Sequence, residues 1–218
     1  MPIGVSTGHP NITAGTIGAR VTDGTNVYAL SNNHVYADEN NATIGDNVLQ
    51  PGSFDGGIDP DDAIGTLFDF EPIVFDDFTP NEVDAAIALS STDALGNATP
   101  SDGYGTPNST TADPPACLNK RVQKYGRTTS LTKGIAFAIN ATVSVGYSSG
   151  VALFVHQIVV DGGKGGFILG GDSGSLLVLK KGKKPCGLLF AGTPLGRYGI
   201  ANPIDLVLDA FGVYIDDE

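Results

Sequence analysis

Four segments in the first 90 residues alternate apolar with polar residues or are briefly apolar, and turns rich in Gly, Asn, Asp and Pro separate them. The segments are Thr16–Asp23, Val27–Val35, Ile64–Phe75 and Val83–Ser90. An alternation with a period of two is typical of β-strands that bury one face. The pattern predicts a β unit over residues 1–90 that is large enough to form a barrel.

A second series of such segments follows in residues 119–218, after a stretch of different composition. The second series comprises Arg121–Thr129, Lys133–Tyr147, Val151–Val160, Ser173–Gly182, Cys186–Gly192 and Tyr198–Ile204. Residues 91–118 are rich in Gly, Pro, Ser, Thr, Asn and Asp, which is typical of a linker or surface loop that buries no apolar face. We therefore expect two β units joined by an exposed linker.

One helix is predicted near the end of the second unit. Asn202 can cap its N-terminus, Pro203 suits the first helical position, and Asp205 lies in the first turn. Gly212 can end the helix. The apolar face would consist of Ile204, Val207, Leu208 and Phe211. We expect this short helix to pack on the second unit.

The composition favours an all-β fold and argues against two classes of partner. The chain has 218 residues, of which 30 are Gly and 13 are Pro, and this usage is typical of many short elements joined by turns. No apolar stretch is long enough to cross a bilayer, so a membrane protein is not expected. The formal net charge of -12 repels phosphate backbones, so nucleic acid is not expected as a partner.

The N-terminus and the cysteines leave location and redox state open. No basic region followed by an apolar core is found near Met1, so we expect either a cytoplasmic protein or one whose leader has been removed. Cys117 and Cys186 can form one disulfide bond or remain two buried thiols. The acidic stretch Asp59–Gly65 suggests at most a loosely bound cation, and no cofactor or metal is predicted. Nothing in the sequence indicates an oligomeric state.

Ser173 is a candidate nucleophile because it lies between glycines, after an aspartate and before an apolar run, in GFILGGDSGSLLVLK. The same pattern is also typical of a plain tight turn. A serine hydroxyl becomes a good nucleophile only when a base accepts its proton and a carboxylate orients that base. The chain must therefore supply a histidine and an acid.

Few residues can serve as the base, because the chain has only three histidines. We expect His9 to be exposed and His156 to be a hydrogen-bonded structural residue within a strand. His34 is the candidate base, because it follows the strand VYALS at the edge of the predicted sheet. Asp84 is the candidate acid, because it begins an apolar strand, where a partly buried carboxylate needs a partner. The alternative for Asp84 is an aspartate that binds backbone amides at the strand edge.

The order His34, Asp84, Ser173 separates the hydrolase classes. In α/β-hydrolases the serine comes first and the histidine last, and no histidine follows Ser173 here. The subtilisin order belongs to a fold with long helices and a parallel sheet, for which the sequence has no pattern. Neither cysteine lies at a helix start or beside a basic activator, so a cysteine protease is not expected.

Three motifs carry a resemblance to a known family. LSNNHVYA, VDAAIALS and GGDSGS are similar to the histidine, aspartate and serine motifs of the chymotrypsin-like (trypsin-fold) serine proteases, in that family's order. The stretch VQKYGRTTSLTKG resembles the opening of the second barrel in bacterial members. The resemblance implies two antiparallel six-stranded β-barrels with the active site in the cleft between them. It also implies a serine endopeptidase that cleaves peptide or protein substrates through an acyl-enzyme intermediate.

The resemblance also implies a role for each site residue. Ser173 would attack the scissile carbonyl, His34 would pass the proton to the leaving amine, and Asp84 would orient His34. The backbone N–H groups of Gly171 and Ser173 would form the oxyanion hole. The implied substrate pocket has no charged residue, so an uncharged residue is expected before the cut. The pocket residues would be Phe167, Phe190, Ala191 and Gly192.

Two features depart from the family's pattern. The chain lacks the Ile-Val-type N-terminus that pairs in many members with the aspartate before the nucleophile, so Asp172 needs another partner. The paired cysteines of many members are mostly absent, although a Cys117–Cys186 bridge would join the start of the second barrel to its hairpin. Two alternatives to an active protease stay open. One is a catalytically silent protease-fold binding module, and the other is a β-sandwich binding domain in which the three residues share no cleft.

Overall fold

The chain folds almost entirely into β-strands. The structure, a computed structural model, describes residues 1–218. Its first 90 residues contain the strands β1 (Ser6–Thr7), β2 (Gly15–Thr16), β3 (Ala19–Thr22), β4 (Val27–Ser31), β5 (Asn47–Leu49), β6 (Ala63–Phe70), β7 (Pro80–Asn81) and β8 (Ala86–Ser90). One helical turn, α1 (Asn33–Tyr36), follows β4, and a 3-10 turn covers Ser53–Asp55.

The rest of the chain adds seven strands and two short helices. The strands are β9 (Arg121–Gly126), β10 (Ser130–Gly146), β11 (Val151–Asp161), β12 (Leu176–Leu179), β13 (Pro185–Gly192), β14 (Tyr198–Pro203) and β15 (Tyr214–Ile215). The helices are α2 (Pro114–Cys117) and α3 (Ile204–Phe211), and a second 3-10 turn covers Gly163–Gly165. None of the helices has the length and apolar character needed to span a membrane.

The first sheet has six strands in the order β15-β3-β4-β8-β6-β5, and every neighbouring pair is antiparallel. β4 and β8 lie at its centre, and seven of their ten residues are buried. Their register sets Ser31 opposite Ala86. The end of β4, which leads to His34, therefore lies beside the start of β8, which follows Asp84.

The second sheet has seven strands in the order β10-β9-β12-β13-β14-β11-β7. β10 also pairs with β11, so the hydrogen-bonded order of strands returns to its beginning. The extra strand β7 comes from the first half of the chain and pairs parallel with β11, Pro80 beside Leu153. β10 and β11 are the longest strands, with 17 and 11 residues, and the tip of their hairpin reaches the first half of the chain at Glu39.

Each sheet has its own apolar core, and a third core lies between the two sheets. The third core contains Leu30 and Ile87 from the first sheet and Leu176 and Leu188 from the second. It also contains Ile204, Val207 and Leu208 of α3. Burial of each large apolar side chain contributes roughly 1.5–3 kcal/mol, so this shared core holds the two sheets in a defined relation.

Residues 91–118 bury more apolar surface than the prediction of an exposed linker allows. Leu95 lies in the core of the first sheet and Tyr104 in the core between the sheets. Ala112 and Cys117 lie in the core of the second sheet. A few apolar residues, widely spaced in a polar segment, are enough to hold this segment against both sheets.

The two histidines outside the candidate site are both hydrogen-bonded. The prediction that His9 is exposed is wrong: it is 4% exposed, with its Nε2 3.2 Å from Asp46 Oδ2. The N-terminal segment packs back on the first sheet, which explains the burial, and Ile3 lies fully buried in that core. His156 is hydrogen-bonded as predicted, through Nδ1 to Asn140 Oδ1 at 2.7 Å, but it is exposed at an irregularity of the β10–β11 pairing.

The C-terminal helix is present, but its N-terminus differs from the prediction. Gly212 follows α3 with a left-handed φ of 62°, as expected for the residue that ends a helix. Asn202 does not cap the helix, since Pro203 is the capping residue and no side chain bonds to the first turn. Asn202 is fully buried in β14 instead, where its amide binds the backbone of the candidate site.

Cys117 and Cys186 are free, buried thiols in the core of the second sheet. The contact with Cys117, together with burial, raises the pKa of the Cys186 thiol well above its ordinary value of 9.0. A thiol that stays protonated and buried is a poor nucleophile. The two cysteines therefore act as small apolar residues of the core.

Candidate active site

His34 and Asp84 form a hydrogen-bonded pair at the edge of the first sheet. β4 ends at Ser31, and the helical turn α1 directs His34 toward Asp84, which lies just before β8. His34 Nδ1 lies 2.6 Å from Asp84 Oδ2, and the backbone N–H of His34 donates to Asp84 Oδ1 at 3.2 Å. The Asp84 side chain is fully buried, whereas the His34 side chain is 21% exposed. One side of the imidazole is therefore anchored while part of the ring remains accessible.

The pairing also sets the charge and tautomer of His34. Burial by itself would lower the pKa of His34, but the charge of Asp84 and the hydrogen bond to it, with a smaller effect of Glu39, raise the pKa above its ordinary value of 6.5. A proton on Nδ1, held by the carboxylate, leaves Nε2 free to accept another proton. The arrangement suits a general base.

Two asparagines hold the backbone of Asp84. Asn32 Nδ2 donates to Asp84 O at 2.7 Å, and Asn202 Nδ2 donates to the same oxygen at 3.1 Å. The Asp84 N–H donates in turn to Asn202 Oδ1 at 3.3 Å. Asn202 belongs to the second sheet, so Asp84 is positioned from both halves of the molecule.

Ser173 lies in the loop before β12, which packs against the end of β4. The Thr16 N–H donates to Ser173 O at 2.8 Å, and Ser31 Oγ donates to Thr16 O at 2.8 Å. Gly174 has a φ of 92°, and a Cβ at this position would lie 2.2 Å from Ser31 Oγ. Only glycine fits this conformation and this close approach. The loop is thereby brought against the strand that leads to His34.

The Ser173 hydroxyl does not bond to the His34–Asp84 pair. Ser173 Oγ donates to Phe190 O at 3.4 Å, and it makes no hydrogen bond with His34 Nε2. Hydrogen bonds between catalytic groups are often long or misaligned before a substrate binds. Rotation about the Cα–Cβ bond of Ser173 changes the direction of Oγ without any movement of the backbone.

Two backbone N–H groups beside Ser173 have no acceptor within the chain, those of Gly171 and Ser173. Thr128 Oγ1 donates to Gly170 O at 2.6 Å, which turns the N–H of the same peptide, that of Gly171, the opposite way. Asp172 O accepts from Ser175 N at 3.0 Å and from Ser175 Oγ at 2.6 Å, which turns the N–H of the same peptide, that of Ser173, the opposite way. Both N–H groups are therefore free to bind an anionic oxygen.

Asp172 has a buried cation as its partner. Lys124 Nζ, from β9, lies 3.4 Å from Asp172 Oδ2, and both side chains are fully buried. Burial lowers the pKa of Lys124, and Asp172 offsets part of that effect. The carboxylate also accepts from the backbone N–H groups of Thr128, Thr129 and Leu169 at 2.8, 3.0 and 3.0 Å, and from Thr129 Oγ1 at 2.7 Å. Asp172 thus finds its counter-charge within the chain.

A pocket of about 250 Å³ opens beside Ser173. Its lining has no charged side chain and consists of Ile168, Leu169, Gly170, Ser173, Ala191, Gly192, Thr193 and Pro194. Ala191 and Gly192 lie at the pocket, in the place where the resemblance puts them.

Phe167 and Phe190 do not line this pocket. Phe167 is buried in the core of the second sheet, so Ile168 and Leu169 occupy the wall instead. The Phe190 ring packs against Phe154 with centroids 4.7 Å apart, and only its backbone carbonyl faces Ser173. The two large rings fill apolar cores rather than the pocket.

Three residues of the site carry little local signal in the sequence: Asn202, Lys124 and Tyr147. The Tyr147 hydroxyl donates to Asp84 Oδ2 at 2.9 Å. A weak signal exists only for Lys124, which shares the inward face of β9 with Val122. A charged residue at such a position needs a buried partner.

Solved structures that resemble this chain include bacterial serine proteases. Protease A of Thermobifida fusca is 18% identical, covers 100% of both chains and has a TM-score of 0.68. A Nocardiopsis protease is 19% identical, covers 99% of both chains and has a TM-score of 0.67. A glutamic acid specific serine protease that uses a histidine triad in substrate binding is 21% identical, covers 99% of this chain and 100% of the other, and has a TM-score of 0.68.

The chain therefore has the double-barrel fold of the bacterial chymotrypsin-like serine proteases, with one short C-terminal helix. The predicted double-barrel fold is confirmed, with one correction: the second sheet carries a seventh strand, β7, in parallel pairing. A β-sandwich is excluded. A family model described as the Nal1 C-terminal domain matches residues 110–202, a range that includes Ser173 but neither His34 nor Asp84. No curated protein matches the sequence significantly.

Proposed function

We propose that the chain is a serine endopeptidase with Ser173 as nucleophile, His34 as general base and Asp84 as the carboxylate that orients the base. Ser173 Oγ attacks the scissile carbonyl carbon while His34 Nε2 takes the hydroxyl proton. The N–H groups of Gly171 and Ser173 bind the oxyanion of the tetrahedral intermediate. His34 then protonates the leaving amine, the C–N bond breaks, and an acyl-enzyme remains. Water then attacks the carbonyl carbon of this ester while His34 takes its proton. His34 returns the proton to Ser173 Oγ as the carboxylic acid product leaves, which restores Ser173.

One observation carries the proposal: the 2.6 Å contact between His34 Nδ1 and the fully buried carboxylate of Asp84. Burial of a carboxylate costs free energy unless the carboxylate is paired. A buried carboxylate beside an accessible imidazole is therefore expected where that imidazole must become charged. The backbone N–H groups of Gly171 and Ser173 have no acceptor in the chain, and they support the same chemistry because they can bind the oxyanion.

A second candidate function is a catalytically silent binding module with this fold. The hydrogen bond from Ser173 Oγ to Phe190 O, in place of one to His34, favours it. In the silent module this hydroxyl direction would persist after a peptide binds. In the peptidase, the bound substrate would be accompanied by rotation of Ser173 Oγ toward His34 Nε2.

A fluorophosphonate probe separates the two candidates, because it labels a serine only when a base activates it. We expect labelling of the unaltered chain and none of Ser173→Ala or His34→Ala. Ser109→Ala is the matched control, since Ser109 is exposed and its hydrogen bonds go to Asp217, so labelling should persist. A folded sample that stays unlabelled would favour the binding module.

Cleavage of a diverse peptide library tests the pocket. The lining has no charged side chain, so a charged substrate residue would be buried without a partner. We expect kcat/KM for uncharged residues before the cut to exceed that for Lys, Arg or Glu by about 100-fold or more. The glutamic acid specific neighbour uses a histidine triad in substrate binding, and no histidine lines the pocket here. Predominant cleavage after a charged residue would contradict this assignment.

Thr128→Val tests the oxyanion hole. Without the 2.6 Å bond from Thr128 Oγ1 to Gly170 O, the Gly170–Gly171 peptide can rotate, and the Gly171 N–H is no longer held in one direction. We expect kcat to fall by about 10- to 100-fold with little change in KM, because the donor is needed mainly in the transition state. Thr132→Val is the matched control, since it removes a similar 2.8 Å bond to Phe167 O that does not touch this peptide. Equal losses in the two variants would show that Thr128 acts only through loop stability.

A further inference from the structure

The tip of the β10–β11 hairpin, residues 147–150, is fastened to the first half of the chain by Glu39. The Glu39 carboxylate accepts from Ser148 N at 3.1 Å, from Ser148 Oγ at 2.9 Å and from Ser149 N at 2.7 Å. Burial would raise the pKa of Glu39, but these serine hydrogen bonds outweigh it and lower the pKa, so the carboxylate stays charged. The hairpin tip is therefore held against the first half of the chain.

Tyr147, the first residue of this tip, reaches the buried carboxylate of Asp84. Its hydroxyl donates to Asp84 Oδ2 at 2.9 Å, the same oxygen that lies 2.6 Å from His34 Nδ1. Burial, followed by the charges of Asp84 and Glu39, raises the pKa of Tyr147 far above its ordinary value of 10.0. The hydroxyl therefore keeps its proton and remains a donor at neutral pH.

Aromatic neighbours fix the ring of Tyr147. Its centroid lies 5.6 Å from that of Phe75 and 5.7 Å from that of His34, both in edge-to-face geometry, and 6.2 Å from that of Phe154. Such contacts restrict the ring and aim the hydroxyl. The donor is thus held in position before any substrate arrives.

We propose that Tyr147 is a positioning residue for the His34–Asp84 pair, delivered from the second sheet by the hairpin that Glu39 fastens. This inference rests on the proposed function, since it assigns to Tyr147 a part in the same site. The hydroxyl fixes the rotation of the Asp84 carboxylate and takes up part of its negative charge. His34 is thereby kept oriented, and its charged form is stabilised less than it would be by a carboxylate without this donor.

The sign of the effect follows from the groups that face His34. They are Asp84 before β8, Glu39 after α1 and Tyr147 on the hairpin, while Asp172, beside the nucleophile, is turned inward to Lys124. Removal of the Tyr147 hydroxyl leaves more negative charge on Asp84 and should raise the pKa of His34. Removal of the Glu39 charge should lower it.

The first test measures the His34 pKa by NMR in a Ser173→Ala background, where no turnover is needed. The chain has three histidines, so the imidazole signals can be assigned by substitution. Tyr147→Phe keeps the ring and removes only the hydroxyl, and the His34 pKa should rise. Glu39→Gln should shift it in the opposite direction. Tyr125→Phe is the matched control, since it removes a tyrosine hydroxyl that bonds to Asp102 and not to Asp84, and it should leave the His34 pKa unchanged.

The second test measures pH profiles of kcat and kcat/KM in the active chain. kcat/KM of the unaltered chain should rise with pH as His34 loses its proton, above 6.5, because only the neutral imidazole accepts the serine proton. Tyr147→Phe should move this acid limb to higher pH and lower kcat by about tenfold, with KM little changed.

The outcomes separate the inference from the proposed function. An unchanged His34 pKa in Tyr147→Phe would overturn the inference, even if activity fell, because the residue would then act only by packing. An altered His34 pKa in a chain that hydrolyses no peptide would support the positioning role and refute the peptidase. If Tyr147→Phe folds poorly, the hydrogen bond can be measured in the unaltered chain instead. A Tyr147 hydroxyl proton that is bonded to Asp84 should exchange slowly with water.

Discussion

Ser173→Ala is expected to lower kcat by about 10⁶-fold, and adding His34→Ala to it is expected to lower kcat no further. In the proposed mechanism the two residues act in one proton transfer, so once the attacking oxygen is absent the base has nothing to deprotonate. Asp84→Asn is expected to cost about 10⁴-fold, because an amide at this position favours the wrong tautomer of His34. These losses should appear in kcat, whereas KM should change little, because none of the three side chains has to bind the substrate strongly in its ground state.

The measurement is a double-mutant cycle on kcat with the best peptide from the library, supported by unfolding curves for each variant. Additive losses for Ser173→Ala and His34→Ala would contradict the proposed mechanism, since they would mean that the two side chains act independently. Residual activity that is equal in both variants, and equal in the pair, is the result that the mechanism requires.

Most of the fold could be predicted because a long strand that buries one face shows a clear alternation of apolar and polar residues in the sequence. Each of the ten apolar segments contains a strand of the structure. The strands that were missed are β1, β2, β5, β7 and β15, which have only two or three residues. An alternation cannot be read from so few positions, and these strands form because of the partner that a distant part of the chain supplies. β15 joins the first sheet, although it follows the last helix of the second half.

The difference between local patterns and distant partners also decides which residues of the candidate site could be predicted. His34, Asp84 and Ser173 each lie in a motif of their own, so they could be proposed from local sequence. Asn202 and Tyr147 acquire a role only from Asp84, which is 118 and 63 positions away. Neither residue is unusual where it stands: Asn202 resembles a helix cap and Tyr147 a hairpin residue.

Two of the four predicted pocket residues, Phe167 and Phe190, do not line the pocket, for a related reason. The resemblance assigns Phe167 to the pocket because it lies six residues before Ser173, and such a count locates a residue only if the intervening loop follows the family's path. Here Phe167 turns into the core of the second sheet, and Ile168 and Leu169 reach the pocket. The apolar character of the pocket was predicted from residues of which two do not line it, and the residues that do line it are also uncharged.

Lys124→Met is expected to lower the free energy of unfolding by about 3 kcal/mol, a large part of the roughly 5–15 kcal/mol that holds a typical domain folded. The substitution preserves volume but leaves the buried charge of Asp172 without its cation. Four hydrogen bonds from backbone and hydroxyl donors still hold the carboxylate, which keeps the loss at the lower end of the range for a broken buried pair. Urea unfolding measures the change, and Lys133→Met, at an exposed position of β10, should alter stability by less than about 0.5 kcal/mol.

A second substitution identifies the cause of this loss. If the unpaired charge of Asp172 is responsible, Lys124→Met should cost less in an Asp172→Asn background, where no buried charge is left without a partner. An equal cost in both backgrounds would instead indicate lost packing around Lys124. Asp172 also binds the backbone N–H groups of Thr128 and Leu169, which border the loop of Ser173. Lys124→Met should therefore lower kcat as well, because the ion pair that stabilises the second barrel also holds the loop that carries the proposed nucleophile.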